Sequence, residues 1–161
     1  MNTFAYTHTK YLMSIYLFSV SAEVTGVSWS LTLQNLLAAC CGDQKIRIIN
    51  YDTRVTCIVL EGHNDRTFNC AWSPLDPCCL ASTSDDNTVR IWHINLETVD
   101  AAVNPQIVKP TKTLYGHTNR SRGVCWSYED ANSLITGSWD STIRCVKRED
   151  FIIIIVASMK L

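Results

Sequence analysis

GHNDRTFNCAWSPLDPCCLASTSDDNTVRIWH, residues 62–93, is the stretch on which the fold turns. A Gly-His pair opens it. A short apolar run over 67–72 ends on Trp72, and a polar turn, Ser-Pro-Leu-Asp-Pro, follows at 73–77. A second apolar run covers 79–83, a tight turn falls at Asp86, and polar and apolar residues alternate through Thr-Val-Arg-Ile-Trp at 88–92. Short runs bounded by turn residues predict β-strands, and alternation at period two predicts a strand with two distinct faces. A further run at 56–60 precedes the Gly-His, which makes four short strands and no amphipathic helix.

The stretch recurs. Residues 116–147 read GHTNRSRGVCWSYEDANSLITGSWDSTIRCVK, and 11 of the 32 aligned positions are identical. A more divergent copy lies upstream. In all three, an aspartate stands fourteen residues after a tryptophan (Trp29 and Asp43, Trp72 and Asp86, Trp126 and Asp140) and an arginine four residues later (Arg47, Arg90, Arg144). Self-similarity at this period marks a repeat architecture, and four strands per unit mark it as all-β. The units are 43 and 54 residues apart; the extra residues fall in 95–110, which carries Pro105 and Pro110 and reads as an inserted loop.

Composition narrows the field. The chain has 161 residues, enough for one domain or part of a larger one, with 47% hydrophobic and 18% charged residues. A net charge of −1 offers nothing to draw nucleic acid. Six glycines include no phosphate-cradling loop, and eight cysteines form no C-x-x-C pair of the kind zinc sites use. Adjacent residues on a strand point to opposite faces, so Cys40–Cys41 and Cys78–Cys79 are poorly placed to grip one ion. The cysteines read as small buried hydrophobes in a reducing compartment, which points to the cytoplasm, with no cofactor and no metal. The apolar run at 151–156 (FIIIIV) is too short for a bilayer, which takes about 20 residues, and no membrane association is expected.

Period, four-strand grammar and Gly-His to Trp to Asp spacing together resemble the WD-repeat family of β-propellers. The resemblance implies blades of four antiparallel strands, about three of them here, in an incomplete ring, since such rings close with roughly four to eight. The units divide as a non-repeat segment 1–18, a degenerate first repeat 19–60, a second repeat 61–115 containing the 95–110 loop, a third repeat 116–150, and an apolar tail or last strand 151–161. Departures are plain. The family's Trp-Asp reads Trp92-His93 in the second unit, Val146-Lys147 in the third and Ile49-Asn50 in the first, where Ser19-Val20 also stand in for Gly-His.

One set of residues imitates an active site. His63, Asp86 and Ser82 invite comparison with a Ser-His-Asp triad, and His117, Asp140 and Thr136 repeat the pattern. The resemblance implies a different role, a structural hydrogen-bond chain within each blade, formed here by His63, Ser82, Asp86 and Trp92. A catalytic triad would not be expected at the same spacing in successive repeats, and no nucleophile-elbow motif is present. In the third unit Val146 offers no donor, so that chain should be shorter. The arginines at 47, 90 and 144 read as a solvated or edge-pairing face, or as a stripe meeting an acidic partner.

The expected function is therefore a scaffold for protein–protein interaction, not an enzyme, its partners being other proteins. The missing blades would come from a longer chain or a second copy. Two other readings compete. A secreted cysteine-rich protein would need residues 11–20 (YLMSIYLFSV) to be part of a signal peptide and the cysteines to pair. A hydrolase would use Ser82, His63 and Asp86.

Overall fold

The structure, a computed structural model, describes residues 20–33, 35–98, 104–130, 132–147 and 152–158, the last as backbone alone. The 1–18 segment, with the apolar run that raised a signal peptide, lies outside the described residues, as does Ser19. The strands run β1 (Val24–Trp29), β2 (Leu36–Cys41), β3 (Lys45–Asn50), β4 (Val55–Glu61), β5 (Thr67–Trp72), β6 (Cys79–Ser84), β7 (Val89–His93), then a 3-10 turn at Leu96–Thr98, β8 (Gln106–Val108), β9 (Lys112–Leu114), β10 (Ser121–Trp126), β11 (Ser133–Ser138), β12 (Thr142–Lys147) and β13 (Ile152–Ser158). They form three sheets, ordered β1-β2-β3-β4-β8, β5-β6-β7-β9 and β10-β11-β12-β13. These are three open propeller blades, each built on a four-stranded antiparallel meander. The last strand of the third blade comes from the isoleucine-rich run.

The same turn chemistry builds each blade. Between second and third strands the chain reverses through Gln44, Asn87 or Ser141, with φ of 72°, 66° and 63°. Left-handed backbone suits the tight turns that twist with a hairpin, and Asn tolerates it best; a residue with a larger side chain bears a cost of about 1–2 kcal/mol. Glycine before the histidine answers two local demands. A Cβ on Gly62 would stand 2.5 Å from the Arg90 guanidinium, and Gly116 has a φ of 140°.

The 95–110 segment is not a plain loop. Its β8 adds to the outer strand of the first blade in parallel, pairing Ile58 with Gln106 and Leu60 with Val108. The first sheet thus has five strands, not four, and the fifth belongs in sequence to the second repeat. An unpaired outer edge is a template for association, and β8 covers part of it.

The core lies between blades. One cluster joins the first and second blades through Leu36, Ile46, Ile48, Leu60, Trp72, Leu80 and Trp92. Another joins the second and third through Cys79, Ala81, Val89, Ile91, Val124, Trp126, Leu134 and Val146. The second blade is therefore covered on both faces, which explains why Val89, Arg90, Ile91 and Trp92 are all buried although polar and apolar residues alternate there. The third blade is covered on one face; Cys125, Ile135 and Ile143 are exposed on the other.

Candidate functional site: a closed polar chain in the blade seam

Four side chains meet where the second blade faces the first. The turn before β5 carries His63, β6 carries Ser82, the β6–β7 turn carries Asp86 and β7 carries Trp92. The Trp92 indole N–H donates to Ser82 Oγ at 2.8 Å. Ser82 Oγ lies 2.8 Å from His63 Nε2, and His63 Nδ1 lies 2.9 Å from Asp86 Oδ2. Directions follow from the ends. Indole nitrogen can only donate and an ionised carboxylate can only accept. With the ring neutral, its one proton sits on Nδ1 and goes to Asp86, and Ser82 gives its proton to Nε2. Burial favours that neutral form by pushing the His63 pKa down, against the opposing pull of Asp86.

Asp86 is the anchor. Besides His63 it accepts the backbone N–H of Asn64 at 2.9 Å on the same oxygen, and the N–H and hydroxyl of Thr88 at 2.9 and 2.6 Å on the other. Burial alone would raise its pKa, but these donors outweigh it and hold the carboxyl well below the usual range. The loop holding Gly-His, the turn after β6 and the start of β7 are tied to one charge.

The third blade repeats the anchor and shortens the chain. His117 Nδ1 lies 2.8 Å from Asp140 Oδ2 and Nε2 lies 3.0 Å from Thr136 Oγ1. The N–H of Thr118 and the N–H and hydroxyl of Thr142 complete Asp140, whose pKa is again held low against the effect of burial. Beyond Thr136 stands Val146, 2% exposed, and the Thr136 hydroxyl meets the Arg144 carbonyl at 3.4 Å instead. In the first blade the equivalent positions are Ala39 and Ile49, both buried. Asp43 there gives both oxygens to Arg47, at 3.0 and 2.6 Å.

The arginines form no stripe toward solvent. Arg47, Arg90 and Arg144 have side chains 13%, 9% and 14% exposed, and each folds back on the aspartate four residues earlier, at 2.6, 3.6 and 3.9 Å. A buried charge is costly unless it is paired, and each turn supplies its own carboxylate as the partner. Thr88 and Thr142 were not singled out from sequence, although their identical place two residues after each aspartate was a usable signal. A further tie was missed. The Thr67 hydroxyl reaches the Cys41 carbonyl at 2.8 Å, and the Ser121 hydroxyl, at the matching position, reaches the Asn87 carbonyl at 3.2 Å, each joining a blade to its predecessor.

All eight cysteines are free thiols, five of them buried. A hydrogen bond with Cys70 and burial push the Cys40 thiol well above its ordinary value, and burial raises Cys41. Protonated buried thiols are inert packing. Among the described residues no helix is long and apolar enough to cross a membrane.

Blades of this construction, with the Gly-His to Asp anchor repeated at fixed spacing, define a repeat propeller. The family described as "WD domain, G-beta repeat" matches residues 54–93 and 108–146, and the chain belongs to the WD-repeat proteins. It is 31% identical over 80 residues to the peroxisomal targeting signal 2 receptor of Dictyostelium discoideum, covering 50% of this chain and 23% of that one. It is 38% identical over 85 residues to the small ribosomal subunit protein RACK1 of Drosophila melanogaster, 53% of this chain and 25% of that one. A longer match, 29% over 137 residues, reaches the ribosome biogenesis protein WDR12 homolog of Trichoplax adhaerens, 81% of this chain and 28% of that one. The aligned part of the chain spans about a quarter of the length of these relatives.

Proposed function

We propose that the chain is a protein-interaction scaffold that acts inside the cell and performs no chemistry of its own. The burial of Ser82 carries the reading. Its residue is 0% exposed, its proton is committed to His63 and its oxygen receives the Trp92 N–H, so a substrate carbonyl has no path to it. The same set recurs in the next blade, as a structural tie would and a catalytic site would not. Relatives named as a small ribosomal subunit protein and a histone acetyltransferase subunit are parts of assemblies, and another is named as a receptor, which supports a binding role here. Free thiols favour a reducing compartment over the secreted, disulfide-bonded alternative.

The partners are other proteins, and blades from a longer chain or a second copy cover the exposed face of Cys125, Ile135 and Ile143. Affinity capture of the tagged chain with quantitative mass spectrometry should recover proteins at near-stoichiometric levels, and a fluorophosphonate probe should leave Ser82 unlabelled. Labelling at Ser82, or the absence of any stably associated protein, would overturn the proposal. Reducing and non-reducing gels should show equal mobility.

A further inference from the structure

The outer edges of the three sheets are not treated alike. The first strands, β1, β5 and β10, pack against one another, so the last strand of each sheet lies at the rim. On the first sheet a strand from outside the blade, β8, has added to β4. The second sheet ends on β9, which has three residues, carries an exposed Lys112 and follows Pro110. A short strand, a lysine and a proline each blunt an edge. The third sheet ends on β13, and among the described residues no strand pairs with its far side. This strand has seven residues, no charge and no proline, and its first five residues are β-branched. Its pairing with β12 is regular over Ile152–Ile155 and slips at Val156, between the Arg144–Ile155 and Ile143–Ala157 pairs.

We propose that β13 pairs antiparallel with β13 of a second copy of this chain, joining two third blades into one eight-stranded sheet. Three observations choose that occupant. The addition of β8 to β4 shows how a rim edge of this fold is completed, by main-chain pairing with a strand from outside the blade. A strand to match β13 must be as long and as uncharged, and the other rim strands, β8 and β9, have three residues each. The regular run is also its own complement. Two-fold pairing sets Ile152 opposite Ile155 of the second copy and Ile153 opposite Ile154, so isoleucine meets isoleucine at all four positions. Cross-strand pairs of this kind are the unit of sheet stability, and no like charges oppose one another. Each chain has one such edge and the two-fold pairing uses both, so growth stops at the dimer. A further blade would stack beside the third sheet and not on its rim, so the pairing does not depend on how the ring is completed.

This inference goes beyond the scaffold reading and does not need it. Light scattering of the full chain after size exclusion, over a range of concentrations, should show the mass double from monomer to dimer. Ile154→Lys, its fold checked by circular dichroism, should weaken dimerisation about tenfold, because a lysine opposes edge pairing. Mixing it with Ile153→Glu should restore the dimer, since 153 of one copy lies opposite 154 of the other. Hydrogen exchange on the unaltered chain reads the same edge without a variant. Amides of residues 152–155 should exchange more slowly at high chain concentration than at low. A mass that stays monomeric, a dimer that survives Ile154→Lys, a mixture that does not associate, or exchange independent of concentration would each overturn the proposal. A chain that captures protein partners yet stays monomeric would lose this inference and retain the scaffold reading.

Discussion

The second and third blades are built on one plan and differ at one end of it. In the second, a chain of donors runs from Trp92 through Ser82 and His63 to Asp86. In the third, Val146 stands where the tryptophan would be, and the chain starts at Thr136. The first blade goes further: with Val20 in place of the histidine, the partners are Ala39 and Ile49. Losses begin at the tryptophan end, and neither Val146 nor Ile49 leaves a donor stranded there. Removing one partner of a buried hydrogen bond leaves the other unsatisfied, whereas replacing both with apolar groups is nearly neutral. The comparison teaches that the anchor, histidine on aspartate, is the part a blade needs before the rest can be added.

The largest expected effect tests the far end. Trp92 is fully buried and closes the core between the first two blades. Trp92→Ala should destabilise by about 3–5 kcal/mol. Val146→Ala, at the matching place, should cost about 1–3 kcal/mol. Equal losses in denaturant titrations would break the comparison, and a loss below about 1 kcal/mol for Trp92→Ala would mean that the seam is not packed as described.

The anchor comes next. Asp86→Ala strands the His63 ring proton and two backbone N–H groups, a loss of about 2–4 kcal/mol. Asp43→Ala removes a partner from an arginine at a rim where the carboxylate is 34% exposed, and should cost less than about 1 kcal/mol. Thermal or chemical denaturation of the two variants ranks the anchors directly.

Acid should expose the same design. Burial lowers the folded pKa of His63 from its ordinary 6.5, so the unfolded chain takes up that proton first. The contribution of the neutral ring is complete above about pH 6.5 and falls away as pH drops below it. Asp86 and Asp140 have carboxyls held below the usual range, so their contribution persists to about pH 4 and is lost on further acidification. Melting temperature against pH should therefore fall in two stages. His63→Gln should remove the upper stage and leave a lower one at Asp140. A wild-type profile flat from pH 7 to 5 would contradict the neutral, Nδ1-protonated ring.

Much of this was legible in the sequence because repetition acts as its own control. Positions such as His63 and Asp86 stand out once His117 and Asp140 occur at the same spacing, and the strand order follows from the turns. The arginines were misread for a physical reason. Alternation in Thr-Val-Arg-Ile-Trp looks the same whether one face meets water or both meet protein, and the second blade is covered on both. Strand β8 left no local signal at all. It pairs with β4, far away in the chain, and its short run of Gln106, Ile107 and Val108 reads as loop between two prolines.

The smallest expected effect isolates a single hydrogen bond. Trp92→Phe keeps an aromatic ring in the core and deletes the donor to Ser82, which makes the second blade's chain end where the third blade's does. Ser82 still donates to His63, so no buried donor is stranded, and the loss beyond packing should be about 0.5–1.5 kcal/mol. Packing and hydrogen bonding separate in a double-mutant cycle with Ser82→Ala, because the volume change at position 92 is common to both arms. Coupling of about 0.5–1.5 kcal/mol would assign that much to the indole N–H. Zero coupling would mean that Trp92 stabilises the seam by burial alone, and that the third blade lost only apolar contact when valine took its place.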